Sequence, residues 1–508
     1  MKTKKLDSFY QFISLFETYH KKDALWTSDE KITLTYSDLV SEIFKTASYI
    51  SKVVKPGERV ILLNFHGPHW VIVFFSVILN KAIVVPIDAR ISEKLKNDII
   101  KLVNPKLLIT CDKKVKSKIK TLLFENIKYS NQRWKPKKIE GATTAEIIFT
   151  SGTWGKPKGV VLTHENLLSN INSVIEVHRP IAGKRFLSVL PLSHAYEQMC
   201  GLFIPLSAGC QIIYQEGFDS FSLIKSFQRF QINYMIVVPK FLEILQKSIV
   251  KNLGKKKVLF YSVMNIFQYV SNYQKRFIFQ SLHKKFGGNL ENFIVGGAPL
   301  SSKLEAFFKK LGFTIIVGYG LSEASPVLSF SREKNRPKNS VGIPIPRVKI
   351  GIAIDGEIIA SGENISPGYW PLRKKNAVKT LYTGDLGFLD KKGRLFIIGR
   401  KKNIVVFPTG DKIQLEDIED IANNFSNVQE SCALEIENKK GQKIGIVYVG
   451  DAEEEKLLIY LNTSLPLYAK IHFAKKWDGE KLPRSNTLKL QRDKISEFIN
   501  KPSTMHYE

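Results

Sequence analysis

Short runs of β-branched and aromatic residues recur along the first two-thirds of the chain, with helix-length segments between them. "RVILLNF" (Arg59 to Phe65) reads as a strand, "HWVIVFFSVIL" as a helix, and "AIVVPI" (Ala82 to Ile87) as a strand. "SEKLKNDIIKLV" is then a helix and "KLLIT" (Lys106 to Thr110) a strand. A second series follows: "RFLSVL", "CQIIYQ", "NYMIVVP", "NFIVGG" and "FTIIVGYG". Strands spaced by helices favour largely parallel sheets and an α/β fold. The pattern changes after "GRKKN". There "LEDIEDIANNF" reads as a helix and "KIGIVYVG" as a strand of a small α+β unit. The reading is therefore a large N-terminal domain of layered α/β subdomains over residues 1–399, a boundary at 400–402, and a small α+β C-terminal domain over 403–508.

The chain has 508 residues and a net charge of +29. A charge of that size fits nucleic acid, an anionic membrane, or an acidic protein or substrate. A lysine-rich composition without a binding role stays open beside them. No RNP, zinc-finger or helix-turn-helix signal occurs, so nucleic acid is not expected as a partner. The four cysteines form no metal-ligand spacing, and a reducing, cytoplasmic setting is the simple expectation. The N-terminus shows no signal-peptide core. The most apolar run, "WVIVFFSVIL", is about half of a spanning helix and reads as a buried one. The stretch from Lys251 to Phe286 is rich in Lys, Phe and Tyr. It suits either packed surface helices with solvated lysines or a membrane-surface role.

"FTSGTWGKPKG" (Phe149 to Gly159) follows the apparent strand "AEIIFT" and precedes the helix "HENLLSNINSVIEV". Gly152 and Gly155 permit close backbone approach. The hydroxyls of Thr150, Ser151 and Thr153 can donate to phosphate oxygens, and Lys156 and Lys158 add positive charge. No Gly-Lys-Ser/Thr opens the helix, so this is not the P-loop of nucleotide triphosphatases.

"TSGTWGKPKGVVLTHENL" closely resembles the phosphate-binding signature of the adenylate-forming superfamily, which includes acyl-CoA synthetases, peptide-synthetase adenylation domains and beetle luciferases. Five further stretches resemble that family's motifs in their order: "LPLSHAYEQ", "VGGAPL", "GYGLSEASP", "YTGDLGFLDKKGRLFIIGRKKNIV" and "LPRSNTLKLQR". The resemblance spans almost the whole chain. It implies that ATP and a carboxylic acid form an acyl-AMP with release of pyrophosphate, and that a thiol then displaces AMP. It also implies that the small C-terminal domain is mobile, with Lys402 as its hinge.

Carried over by motif position, Ser151, Gly152, Thr153 and Lys158 would hold the β- and γ-phosphates, and Thr150, Trp154 and Gly155 would belong to the same ATP-binding loop. Ser322 would reach the α-phosphate, and Glu323 would bind Mg²⁺. Gly297, Ala298, Tyr319 and Gly320 would border adenine. Asp385 would accept from both ribose hydroxyls, and Arg400 would also meet the ribose. Lys489 would meet the carboxylate and the α-phosphate during adenylation, and His194 would border the acid. Two positions depart from the family pattern. Trp154 stands where a hydroxyl residue is usual, and Leu488 where Gly usually precedes the lysine.

The pocket motifs look most like those of the fatty acyl branch, among medium- and long-chain fatty acyl-CoA synthetases and acyl-carrier-protein synthetases. Residues 233–245 ("NYMIVVPKFLEIL") would supply an apolar wall. CoA is the favoured acceptor. An acyl carrier protein, and a homologue that binds nucleotide or lipid without catalysis, are the alternatives. The basic charge would serve the phosphates of CoA, an acidic carrier protein, or peripheral contact with the inner face of an anionic membrane.

Overall fold

A computed structural model describes residues 5–63, 66–88, 90–115, 117–127, 134–135, 138–150, 157–215, 219–331, 336–372, 380–407, 412–438, 441–466, 468–485 and 490–500. The fold is mixed α/β, as the alternation of strands and helices predicts. Contacts divide the chain into two compact units. The first comprises Met1–Ile352, Ile359–Thr383 and Leu389–Phe396; the second comprises Ala353–Ile358, Gly384–Phe388 and Ile397–Glu508.

The first unit holds two large sheets. In the nine-stranded sheet, six strands run parallel in the order Thr314–Gly320, Asn292–Val295, Tyr234–Val237, Arg185–Ser188, Gln211–Tyr214 and Asp23–Thr27. Their central residues are buried and almost wholly apolar, as strands covered on both faces must be. The seven-stranded sheet has the order Gly368–Trp370, Lys158–Thr163, Thr144–Thr150, Ile83–Ile87, Arg59–Leu63, Leu107–Thr110 and Thr121–Leu123. One of its faces packs Ile61, Leu63, Val85, Leu108, Ile147 and Val161 into a common core. The helix Pro68–Leu79 is apolar on all sides and buried along nearly its whole length. Among the described residues no helix is long and apolar enough to cross a membrane.

The helix expected after the Gly/Ser/Thr loop is present, and a strand not read from the sequence lies between the two. Lys158–Thr163 is a strand, antiparallel to Thr144–Thr150 with Thr150 opposite Lys158. Its run "GVVLT" is β-branched and buried, and the neighbouring Gly368–Trp370 covers its other edge. The helix His164–Val177 starts only after it, closed by a capping box between Thr163 and Asn166.

The second unit contains a sheet of Val428–Asn438, Gly441–Gly450 and Ile471–Lys476. Alternation divides its residues between two cores. Ile444, Ile446 and Tyr448 face the helices that carry Ile418, Leu457 and Leu461. Val447 and Val449 face away, with Cys432, Leu434, Leu482 and Ile495.

Candidate functional site

In the first unit the expected site residues gather around the carboxyl ends of parallel strands, where α/β sheets place ligands. Gly297 and Ala298 form an exposed turn after Asn292–Val295, with Gly297 at φ +80°. Tyr319 and Gly320 end the adjacent strand Thr314–Gly320. Gly320 is required by close approach: a Cβ there would lie 1.8 Å from the carbonyl oxygen of Pro326. Ser322 and Glu323 follow in a single 3₁₀ turn, Ser322–Ala324.

That turn is held by buried side-chain amides. Asn170 Nδ2 donates to the Val327 carbonyl at 2.7 Å, and Asn364 Nδ2 to the Ala324 carbonyl at 2.8 Å. Asn166 Nδ2 donates to the carbonyls of Glu363 and Ile365 at 2.7 and 2.9 Å. The helix beyond the loop hairpin thus fixes both the turn bearing Glu323 and the segment leading to Tyr369. Ser366 completes the link, its backbone N–H donating to the Glu323 carbonyl at 2.8 Å and its hydroxyl to the Val161 carbonyl at 2.7 Å.

Tyr369 is a site residue that the motifs do not mark. Its hydroxyl donates to Glu323 Oε1 at 2.9 Å. The Lys158 ammonium lies 5.5 Å from the centre of its ring. Burial, together with the Glu323 carboxylate, holds the phenol above its ordinary range, so it stays a donor. Glu323, Tyr369 and Lys158 are far apart in sequence; pairing of Gly368–Trp370 with Lys158–Thr163 brings Tyr369 near Lys158, and the tyrosine hydrogen bond joins Glu323. Ser151, Gly152, Thr153, Trp154 and Gly155 lie outside the described residues. Thr150 and Lys158 flank them.

His194 lies half-buried in the turn after Arg185–Ser188, its backbone N–H donating to the Pro191 carbonyl at 3.1 Å. A helical segment follows, and Gln198–Phe203 within it is a π-turn, a form common at functional sites. Gln198 Nε2 donates both to the Leu192 carbonyl, at 2.8 Å, and to Glu146 Oε1, at 2.6 Å. Glu146 stands on the strand that ends at Thr150. Glu197 is also fully buried, and it accepts from Ser188 Oγ at 2.5 Å. Burial pushes both carboxyls up to about 8. Asp88 behaves oppositely. Burial would raise it, but hydrogen bonds and charge from Arg90, together with the nearby His194, hold it below the usual carboxylate range.

In the second unit the Asp385 carboxylate is buried and meets Arg400 Nε at 2.7 Å. A buried carboxylate needs such a partner. Beside it Glu357 accepts from the Gly384 N–H at 2.8 Å and from Lys401 Nζ at 3.0 Å. Lys402 is exposed in the 3₁₀ turn Lys401–Asn403. Lys489 and Leu488 lie outside the described residues.

The profile of the AMP-binding enzyme family matches residues 15–370. A long-chain-fatty-acid–CoA ligase of Mycobacterium bovis, FadD15, is 29% identical over 310 residues, or 56% of this chain and 50% of that protein. The match spans about half the length of this and the next several curated relatives. A long-chain-fatty-acid–CoA ligase of Bacillus subtilis is 25% identical across 91% of this chain and 90% of its own length. Among solved structures, the o-succinylbenzoate-CoA synthetase of Bacillus subtilis in complex with ATP and magnesium ion superposes with a TM-score of 0.76. It is 21% identical, over 96% of this chain and 98% of that one. At that identity the likeness concerns the fold.

Proposed function

Because the chain belongs to the AMP-binding enzyme family, we propose that it is an adenylate-forming acid–thiol ligase that joins a fatty acid to CoA. A carboxylate is a poor electrophile because its leaving group would be oxide. In the first step a carboxylate oxygen attacks the α-phosphorus of ATP, and the bond to pyrophosphate breaks. In the second, the CoA sulfur attacks the acyl carbon, and AMP leaves as the thiol proton is lost to solvent or base. Both steps need positioning and charge neutralisation more than covalent help from the protein.

The observation that carries this reading is the Glu323–Tyr369–Lys158 cluster at the mouth of the loop hairpin. It sets an anionic oxygen donor and a cation beside a loop rich in Gly, Ser and Thr. Mg²⁺ fits such a site through one protein carboxylate, Glu323, with its other oxygens from nucleotide phosphates and water. Among the described residues no group of three or more His, Cys, Asp or Glu offers a full protein cage. When bound, the ion neutralises phosphate charge. The protein's own residues orient the nucleotide. Ser151, Gly152, Thr153 and Lys158 hold the terminal phosphates, Ser322 reaches the α-phosphate, and Tyr369 keeps the Glu323 carboxylate aimed. Asp385 and Arg400 hold the ribose, Gly297, Ala298 and Tyr319 border adenine, and Lys489 meets the reacting oxygens. His194 borders the acid.

The fatty nature of the acid is supported by the long-chain ligases among the curated relatives and by apolar residues of 233–245, of which Met235, Phe241 and Leu242 are buried. The charge of +29 supports an acceptor rich in phosphate, and contact with an anionic lipid surface from which the acid is drawn. The cysteine usage supports a cytoplasmic setting. Residues 400–402 serve as the hinge of a small domain, 403–508, that turns between the two steps. The test is ATP–pyrophosphate exchange across fatty acids of graded length, followed by mass analysis of products with CoA and acyl carrier protein offered together. Exchange with no acid would sink the reading. Product on the carrier protein alone would reassign the acceptor.

A further inference from the structure

From Ile244 to Leu290 the sequence contains no Asp or Glu, but eight lysines and one arginine. Much of this stretch is helical, with helices at Lys257–Ile266, Asn272–Ile278 and Gln280–Lys285. Their inward face is already filled. Met264 and Phe279 are buried, and Phe260 meets Phe279 and Phe307 with ring centres 5.5 and 6.5 Å apart. Arg276 is taken up structurally by the carbonyls of Gly288 and Leu290, and Lys275 is buried.

A second apolar set points outward. Val258 and Ile266 lie two helical turns apart on one helix, 78% and 69% exposed. Tyr273 and Phe277, 82% and 70% exposed, stand four apart on the helix Asn272–Ile278 and so share one of its faces, and Tyr269, 91% exposed, lies in the turn before it. Lys255, Lys256 and Lys257 precede them and Lys284 and Lys285 follow, all exposed. Bulky aliphatic and aromatic groups framed by lysines, with no acid among them, match an interface of apolar acyl chains beneath anionic headgroups. An acidic protein would match the lysines. It would need a shaped apolar surface for five projecting side chains, which acyl chains accommodate without one.

We infer that the outward face of the helices Lys257–Ile266 and Asn272–Ile278, with Lys255 to Lys257, is a docking surface for an anionic lipid bilayer. It extends the reading of an acid drawn from lipid. Vesicle binding needs no catalysis, so failure of docking and failure of the enzymatic reading register separately.

The experiment is co-sedimentation of the full chain with vesicles of phosphatidylcholine alone and of equimolar phosphatidylcholine and phosphatidylglycerol. Wild type should bind the anionic vesicles and leave the neutral ones. The triple variant Lys255→Ser, Lys256→Ser, Lys257→Ser should weaken binding roughly tenfold or more, since each lysine near such a surface contributes on the order of fivefold. The pair Tyr273→Ser, Phe277→Ser, which leaves the charge unchanged, should weaken it by about tenfold. A control with equal charge loss elsewhere, Lys349→Ser, Lys391→Ser, Lys392→Ser, should bind as wild type does. All these side chains are exposed, and unchanged melting temperatures verify folding. Equal loss in the control would reduce the effect to general charge and overturn the assignment. So would an unaffected Tyr273/Phe277 pair, equal binding to neutral vesicles, or no vesicle binding alongside lysine-dependent capture of an acidic carrier protein.

Discussion

Glu146 lies on the strand Thr144–Thr150 with no solvent exposure. Gln198 Nε2 donates to its Oε1 at 2.6 Å, and Oε2 has no hydrogen-bond partner among the described residues. Burial raises its carboxyl from the ordinary 4.5 to about 8. Near pH 7 the folded protein therefore binds a proton there that the unfolded chain has released. Stability contributed by this group is greatest below about pH 4.5, falls as pH rises through the interval to about 8, and is level above it. The loss has a slope of about 1.4 kcal/mol per pH unit and reaches about 3 kcal/mol by pH 7. Glu146→Gln keeps the acceptor for Gln198 and removes the titration. The orphaned oxygen becomes an equally orphaned amide nitrogen, so that deficit is common to both proteins. The variant should be more stable than wild type by about 3 kcal/mol at pH 7, with the gap narrowing at pH 6 and widening at pH 8. Other titrating groups, Glu197 among them, act equally in both proteins and cancel in the difference. Urea unfolding of the unit that carries Glu146, at the three pH values, reads the gap. A gap that stays constant with pH would refute a protonated Glu146.

Further outcomes concern the proposed chemistry. Lys489→Ala should lower acyl-AMP formation by about a hundredfold or more while sparing thiolation of a supplied acyl-AMP, read by separate assays of the two half-reactions. Asp385→Ala leaves Arg400 without its buried partner and should raise the KM for ATP about tenfold to a hundredfold, with pyrophosphate exchange as the measure. Tyr369→Phe removes the hydroxyl that aims Glu323, and its cost of about 1 kcal/mol should appear as a shifted Mg²⁺ requirement at constant acid KM. Trp154→Thr restores the hydroxyl usual in the loop and should lower the KM for ATP several-fold; unchanged ATP kinetics would mark the tryptophan as neutral.

The parallel strands were legible because they are short apolar runs set off by helix-length segments. "IVVPI" and "LLIT" appear in the structure as strands within one residue of their reading, and "YMIV" within two. The strand Lys158–Thr163 was not. Its apolar run is short, and the capping signal "THEN" beside it reads as the start of a helix, so local signals merge strand and helix entry. What separates them is pairing, on one edge with Thr144–Thr150 and on the other with Gly368–Trp370, about two hundred positions away. The same distance hides Tyr369, whose place beside Glu323 and Lys158 depends on that pairing. Motif position marks Asp385 and Arg400 separately and does not reveal their ion pair, since an Asp between glycine and leucine on a strand has no local signature of burial.

A second kind of signal was present in the sequence without being decisive. The helix His164–Val177 carries Asn166, Asn170 and Ser173 at intervals of four and three, so these polar residues share one face. The structure buries that face. A helix chosen only for packing would place leucine or alanine there, because a buried amide is unfavourable unless its hydrogen bonds are made. Here they are made to backbone: Asn166 to Glu363 and Ile365, Asn170 to Ala324 and Val327. Ser173 Oγ accepts from Arg347 Nε at 3.2 Å. Irregular backbone around Ser322 and Glu323 cannot satisfy its own carbonyls as a helix or sheet does, so the neighbouring helix supplies donors. The polar stripe is therefore the structural counterpart of the irregular turn. A helix that breaks the amphipathic rule on its buried face marks where the fold gives up regular hydrogen bonding, here around the turn Ser322–Ala324.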